Sequence, residues 1–229
     1  GDFQALAAGQ ESLAMFYYMR SWFAEGETNF ALAGDQLARS SVDAEGEILL
    51  ARLRAWQGWF GYLRGHIAEG RQLLHTSVEV MRQREAASAL AGMLPYLAVA
   101  TSAAGDNIAA EQLAGEAQHI GRRAGNIDIQ AVAANVLSQI CYLQGDYDRA
   151  RHFGQESLAL LRQSGNPWSM AFSLTNLGRA AFAEADYEQA GVYYREALEI
   201  RQALGDSRGN ALGLLYLGDT AESKGELTS

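Results

Sequence analysis

Apolar residues recur at three- and four-residue spacing along the chain, and glycine interrupts the pattern at regular intervals. That spacing is the period of an amphipathic helix. Alternating runs of Val, Ile and Thr, which strands require, are almost absent. The interruptions carry the larger order. Gly65, Gly105 and Gly145 stand 40 residues apart, Ala185 takes the next place, Gly225 closes the series, and Gly26 extends it backwards at a spacing of 39. A fixed period in this range marks a stack of helical hairpins, each burying its apolar face on the next. The pattern predicts A helices near residues 3–24, 47–64, 87–104, 127–144, 167–184 and 208–224, and B helices near 27–42, 67–83, 107–123, 147–163 and 187–203. The repeats then run over approximately 1–45, 46–85, 86–125, 126–165, 166–206 and an incomplete 207–229. This amounts to eleven helices, or about five and a half hairpins, in a single repeat domain.

The turns repeat their chemistry. Gly145-Asp146-Tyr147 and Ala185-Asp186-Tyr187 are followed by Ala150 and Ala190, and Gly105-Asp106 by Ala110. Glycine permits the left-handed conformation that ends a helix, and the adjacent aspartate accepts backbone N–H groups at the start of the next. Gly125-Asn126, Gly165-Asn166 and Gly205-Asp206 repeat the device between hairpins, with Pro167 suited to a first helical turn. Three columns stay small: Gly58, Ala98, Ser138, Gly178 and Gly218 in the A helices; Ala31, Gly70, Ala110, Ala150 and Ala190 early in the B helices; Ala38, Ser77, Ala117, Ser157 and Ala197 late in them. Small residues in register let helices approach closely. Large apolar columns complement them: Leu97, Leu137, Leu177 and Leu217, then Val80, Ile120, Leu160 and Ile200.

The run Leu177-Gly178, Asp186-Tyr187, Ala190, Tyr194 and Ala197 resembles the tetratricopeptide repeat. The resemblance covers essentially the whole chain, matches well in the last three repeats and is degenerate in the first, where Met19 occupies a small position. It implies an all-α, right-handed α-α superhelix, a solenoid. The family usually repeats every ~34 residues, so a period of 40 implies longer helices. This longer form is similar to the arrays of large bacterial regulators that join a STAND-type nucleotide-binding module to a DNA-binding domain of LuxR type, and to the sensor region of the maltose-operon activator. The phrase Ala197-Leu198-Glu199-Ile200-Arg201, then Leu204-Gly205-Asp206-Ser207-Arg208-Gly209, is typical of that group.

Composition narrows the function. The formal charge is −9, from 27 acidic and 18 basic residues, with Lys224 the only lysine. An acidic chain repels phosphate backbones, so no nucleic-acid contact is expected. The single cysteine, Cys141, excludes an intrachain disulfide and reads as a buried thiol. No apolar run approaches the ~20 residues of a membrane span, and Gly1-Asp2-Phe3-Gln4 does not open a signal peptide. A cytoplasmic setting is expected. The sequence stops at Gly225-Glu226-Leu227, where another B helix is due, so a fragment of a longer protein is expected, with self-association through its open end repeats.

Catalytic patterns are missing. His66, His75, His119 and His152 are scattered over the B helices without paired-ligand spacing, and there is no P-loop. A non-catalytic chain without metal or cofactor is expected. The better candidate is a groove. The resemblance implies that A helices line a concave face through Phe16, Tyr17, Arg20 and Phe23; Arg52, Trp56, Trp59 and Tyr62; Tyr96 and Val99; Asn135, Gln139 and Tyr142; Phe172, Asn176, Arg179 and Phe182; and Tyr216 and Asp219. Aromatics with Arg, Asn and Gln are what recognition surfaces enrich. Amides suit a peptide backbone and arginines a carboxylate. The alternative for Trp56, Trp59 and Tyr62 is burial between repeats. Pro95 either kinks its helix or is tolerated in place. Arg82, Arg122 and Arg162 either complement helix dipoles or form a basic ridge. The expected function is capture of a protein, a peptide or a small effector by a sensor region of a bacterial signalling or transcription regulator. The alternatives are a scaffold without switching, and an accessory region of a cyclase or kinase.

Overall fold

The computed structural model describes residues 3–40 and 42–225. Every regular element among them is a helix: α1 (Phe3–Met19), α2 (Phe23–Ala38), α3 (Ala44–Leu63), α4 (Ile67–Gln83), α5 (Ala87–Ala103), α6 (Asn107–Ala124), α7 (Ile127–Leu143), α8 (Tyr147–Ser164), α9 (Pro167–Ala183), α10 (Tyr187–Leu204) and α11 (Ser207–Ser223). The chain divides into two compact units, Gly1–Leu113 and Ala114–Ser229, and the division falls inside α6. The further B helix expected after Gly225 lies outside the described residues.

The turn chemistry acts as read. From Gly65 to Gly225 a residue with positive φ falls every 20 positions, glycine at all but Glu85 and Ala185. Such a residue bends the chain out of one helix, and from Gly105 to Gly205 its neighbour caps the next with a side-chain oxygen, whereas His66 and Ala86 do not. Asp146 accepts from Arg149 N at 3.1 Å, Asp186 from Gln189 N at 3.1 Å, Asn126 from Ile129 N at 3.0 Å, and Asn166 from Ser169 N at 3.1 Å. Such a cap contributes about 1 kcal/mol.

The first hairpin departs from the expected register. Its turn is Arg20-Ser21-Trp22, with Ser21 at φ 55°, and not the neighbourhood of Gly26. Both helices therefore sit about four residues earlier than the 40-residue period places them, and the link to α3 is correspondingly longer. Gly26 lies buried inside α2, where an added Cβ would meet the Phe60 ring at 2.9 Å. The small positions of this hairpin are thus Ala14, Gly26 and Ala33, with Ala14 and Gly26 buried, and not Met19, Ala31 and Ala38. Arg20 falls in the turn and is exposed, its guanidinium 6.0 Å from the Phe16 ring, so it lies off the A-helix face to which it was assigned.

Within hairpins the small residues act as notches for specific partners. An added Cβ on Gly178 would lie 2.4 Å from the Tyr194 ring, and one on Gly58 would lie 2.7 Å from the Gly70 carbonyl. In the α7–α8 hairpin two of the small positions are serine, and each hydroxyl is satisfied across the helix pair. Ser138 donates to Ala150 O at 2.7 Å, and Ser157 to Ala131 O at 2.7 Å. Leu74, Met81, Leu161, Leu174 and Leu177 are buried around these contacts, each contributing about 1.5–3 kcal/mol relative to exposure. Pro95 is buried within a continuous α5. In the second unit the arginine column is neutralised by the following B helix: Arg122 reaches Glu156 at 2.8 Å and Arg162 reaches Glu196 at 3.1 Å. Between α10 and α11 the buried Arg201 donates to Gly209 O at 3.2 Å, and its Nε lies 3.9 Å from the buried Asp206 carboxylate.

Candidate functional site

In the second unit the A helices α7 and α9 bring Asn135, Gln139, Tyr142, Asn176 and Arg179 together, because residues three and four apart share one helix face. Asn176, only 7 % exposed, donates from Nδ2 to Asn135 Oδ1 at 2.9 Å and to the Asn135 carbonyl at 3.3 Å. That bond uses one oxygen and one nitrogen of the pair. It leaves Asn135 Nδ2 as a donor and Asn176 Oδ1 as an acceptor, the complement of a peptide group. One turn beyond Asn176, the Arg179 guanidinium stacks 4.1 Å from the Tyr142 ring centroid. No carboxylate among the described residues pairs with it. The ring holds the cation in place while its N–H edge stays open to an anion.

Tyr194, from α10, fills the notch at Gly178 and stacks on Tyr216 of α11 at 5.0 Å. Burial pushes its phenol well above the ordinary value, the Tyr216 phenol adds to this, and the Arg179 charge works against it. The group is therefore a neutral hydroxyl at ordinary pH. Asp219 is exposed on α11, and Phe182 packs with Tyr216 against the buried Ala181, Ala190 and Tyr194. Phe172 lies 5.4 Å from the buried Arg201 guanidinium.

In the first unit Trp56 (6 % exposed) and Trp59 (9 %) are buried, the packing alternative of the sequence. Trp59 stacks on Tyr62 at 5.2 Å and meets Tyr96 edge-on at 4.9 Å, while Trp56 meets Tyr96 at 5.0 Å. Tyr62 and Tyr96 remain partly open. Burial, with the Glu11 carboxylate second, raises the Tyr96 phenol well above its ordinary value. Arg52 donates from Nη2 to Glu11 at 2.5 Å.

Two participants escaped the sequence reading. Glu11 was hidden by the four-residue displacement of the first hairpin. Tyr194 sits on a B helix, and its bulk opposite Gly178 was the signal that marked it. Among the described residues no three His, Cys, Asp or Glu side chains gather as a metal site, and no helix is long and apolar enough to cross a membrane.

No protein-family model matches the sequence, and no curated protein matches it. Solved structures do. BtubC (BKLC) from P. vanneervenii superposes with a TM-score of 0.70 at 18% identity, over 89% of this chain and 84% of that one. A STAND protein with a tetratricopeptide repeat sensor, from Pyrococcus horikoshii, gives 0.66 at 15% identity, over 91% of this chain and 31% of that one. The apo form of RapI gives 0.62 at 14% identity, over 95% and 62%. The fold is tetratricopeptide-like. At these identities the likeness extends to architecture and no further.

Proposed function

We propose that this chain is a non-catalytic recognition region whose second unit binds an extended peptide across α7 and α9. The carrying observation is the Asn176–Asn135 bond beside an Arg179 that no carboxylate among the described residues pairs. The bond fixes both amides, so their remaining donor and acceptor meet a ligand backbone without losing side-chain freedom at that moment. Arg179 supplies charge recognition of an acidic side chain or a carboxylate terminus. A sensor role within a bacterial signalling or transcription regulator, in the longer 40-residue style of repeat, is the setting that best suits this face. The fold shared with the sensor-bearing STAND protein supports it, as does the phrase from Ala197 to Gly209. Capture would alter the stacking of neighbouring hairpins and so reach an attached module.

Phage-displayed random peptides selected on the intact chain provide the test. The selected peptides bind the parent and lose at least about ten-fold in affinity to the Asn135→Ala, Asn176→Ala, Arg179→Ala triple variant. The variant keeps its helical circular dichroism. Equal binding to parent and variant would remove this face from consideration.

A further inference from the structure

The first unit holds a second set of unsatisfied groups, sharing no residue with the face just described. Glu11 of α1 reaches Arg52 of α3 with a single oxygen, at Nη2. The adjacent Nε of Arg52 is buried and has no acceptor. The Nε–Nη2 edge of a guanidinium matches the two oxygens of one carboxylate, so Glu11 fills half of a two-pronged seat. Its side chain is 67 % exposed, against 22 % for Arg52, which places the acid at the rim and the base inside. Both line a cavity of about 370 Å³ whose far wall is the start of α5, small and apolar apart from the Ser88 hydroxyl, with Met93 at its depth. One turn along α3 from Arg52, the buried Trp56 carries an indole Nε1–H that also has no acceptor. Buried donors without partners are rare because each loses its hydration for nothing. Arg52 Nε is such a donor in the lining of the cavity, and Trp56 stands one turn along the same helix.

We propose that this cavity is a binding site for an apolar carboxylate, anchored by both prongs of Arg52, and that Glu11 is a built-in competitor which the ligand displaces. The volume lies at the small end of ligand pockets, so the acid-bearing end of the ligand is a single aliphatic or aromatic group. A free organic acid and the C-terminus of a peptide share that chemistry. Displacing Glu11 returns an exposed side chain to water, and the two-oxygen contact at Arg52 replaces the one-oxygen contact.

Calorimetric titration of the intact chain with 3-phenylpropanoate, with acetyl-Ala-Ala-Phe and with the amide of that peptide tests the site. The readout is joined to the indole ¹⁵N–¹H signal of Trp56, assigned through Trp56→Phe. A carboxylate probe binds saturably and shifts the Trp56 signal but not that of Trp168, and the peptide amide does not bind. Glu11→Gln tightens the probe about three-fold by removing the competitor. Arg52→Gln weakens it at least about ten-fold, and Arg52→Lys, which keeps the charge without the fork, also weakens it. Binding of the small acid alone assigns a free metabolite-sized ligand, and binding of the peptide acid assigns a chain terminus. Failure of both carboxylates to bind the parent and Glu11→Gln overturns the proposal. So does binding that Arg52→Lys leaves unchanged in a variant of normal circular dichroism. The alanine changes at Asn135, Asn176 and Arg179 leave this titration as it was, which separates its failure from that of the peptide-binding face.

Discussion

Single left-handed residues set the conformation of the turns from Gly65 onward, and there the chain tolerates two costly choices. Ala185 and Glu85 hold φ of 60° and 54°, where the other turns from Gly65 onward use glycine. A Cβ in the left-handed region costs about 1–2 kcal/mol. Ala185→Gly relieves that cost and returns part of it through the greater freedom of the unfolded chain. A net stabilisation of about 0.5–1 kcal/mol is expected from urea midpoints. Ala183→Gly, two residues away but in the last turn of α9, lowers the midpoint by a similar ~0.5–1 kcal/mol. Opposite signs at neighbouring alanines cannot come from composition; they require the left-handed turn. The segment Arg201–Gly209 makes the same point without glycine's φ. A Cβ on Gly209 would lie 2.1 Å from Asp206 Oδ2 and 2.5 Å from Arg201 Cδ, so glycine there makes room for the buried Arg201–Asp206 pair. This accounts physically for Arg201, Asp206 and Gly209 occurring together in that segment.

At the scale of helices, packing depends on which small residue faces which large one. Gly178 receives the Tyr194 ring, whereas Gly218, in the same sequence column, has nothing within 4 Å of its Cβ direction. Gly178→Ala must push Tyr194 aside, at about 1–3 kcal/mol. Gly218→Ala meets no neighbour and gains helix propensity, about 0.5–1 kcal/mol. Chemical denaturation of the two variants distinguishes a packing notch from a mere preference for small residues, and equal effects would mean that the register of α9 on α10 is wrong. Helices were legible in the sequence where their signals are local. Aspartate or asparagine beside a left-handed residue caps α7 to α11, and those boundaries follow from adjacent letters. The first hairpin was misread because Gly26 has the spacing of a turn glycine but the job of a packing glycine, while the true turn uses Ser21. The candidate site was legible only as residue types on A helices. The Asn176–Asn135 bond joins residues 41 apart, as Arg52–Glu11 does, and spacing along one helix does not specify a partner on another.

Across the whole molecule, acidic residues outnumber basic ones, yet several arginines are already paired with carboxylates of another helix, as Arg122 and Arg162 show. Each such pair removes one arginine from those open to a phosphate. The same distribution bears on alkaline stability, because each compact unit holds a tyrosine whose phenol is kept neutral by burial: Tyr96 in the first and Tyr194 in the second. In the unfolded chain both ionise near their ordinary value of 10. Folded, they keep their protons to higher pH. The native state therefore binds more protons than the unfolded one above that value, and the slope of stability against pH is negative there. Their contribution is fully present below about pH 10 and is lost as pH climbs towards the raised folded values. Urea midpoints at successive pH values from 9 to 11.5 should be flat from these two groups at first and then fall. Tyrosinate absorbance should show Tyr96 and Tyr194 ionising only as the chain unfolds, identified by the loss of that late phase in their phenylalanine variants. The double variant Tyr96→Phe, Tyr194→Phe removes both protons from the balance while keeping the rings that pack against Trp59 and fill the Gly178 notch. It should flatten the alkaline fall relative to the parent. A parent and double variant that lose stability in parallel above pH 10 would show that neither phenol is enclosed as described.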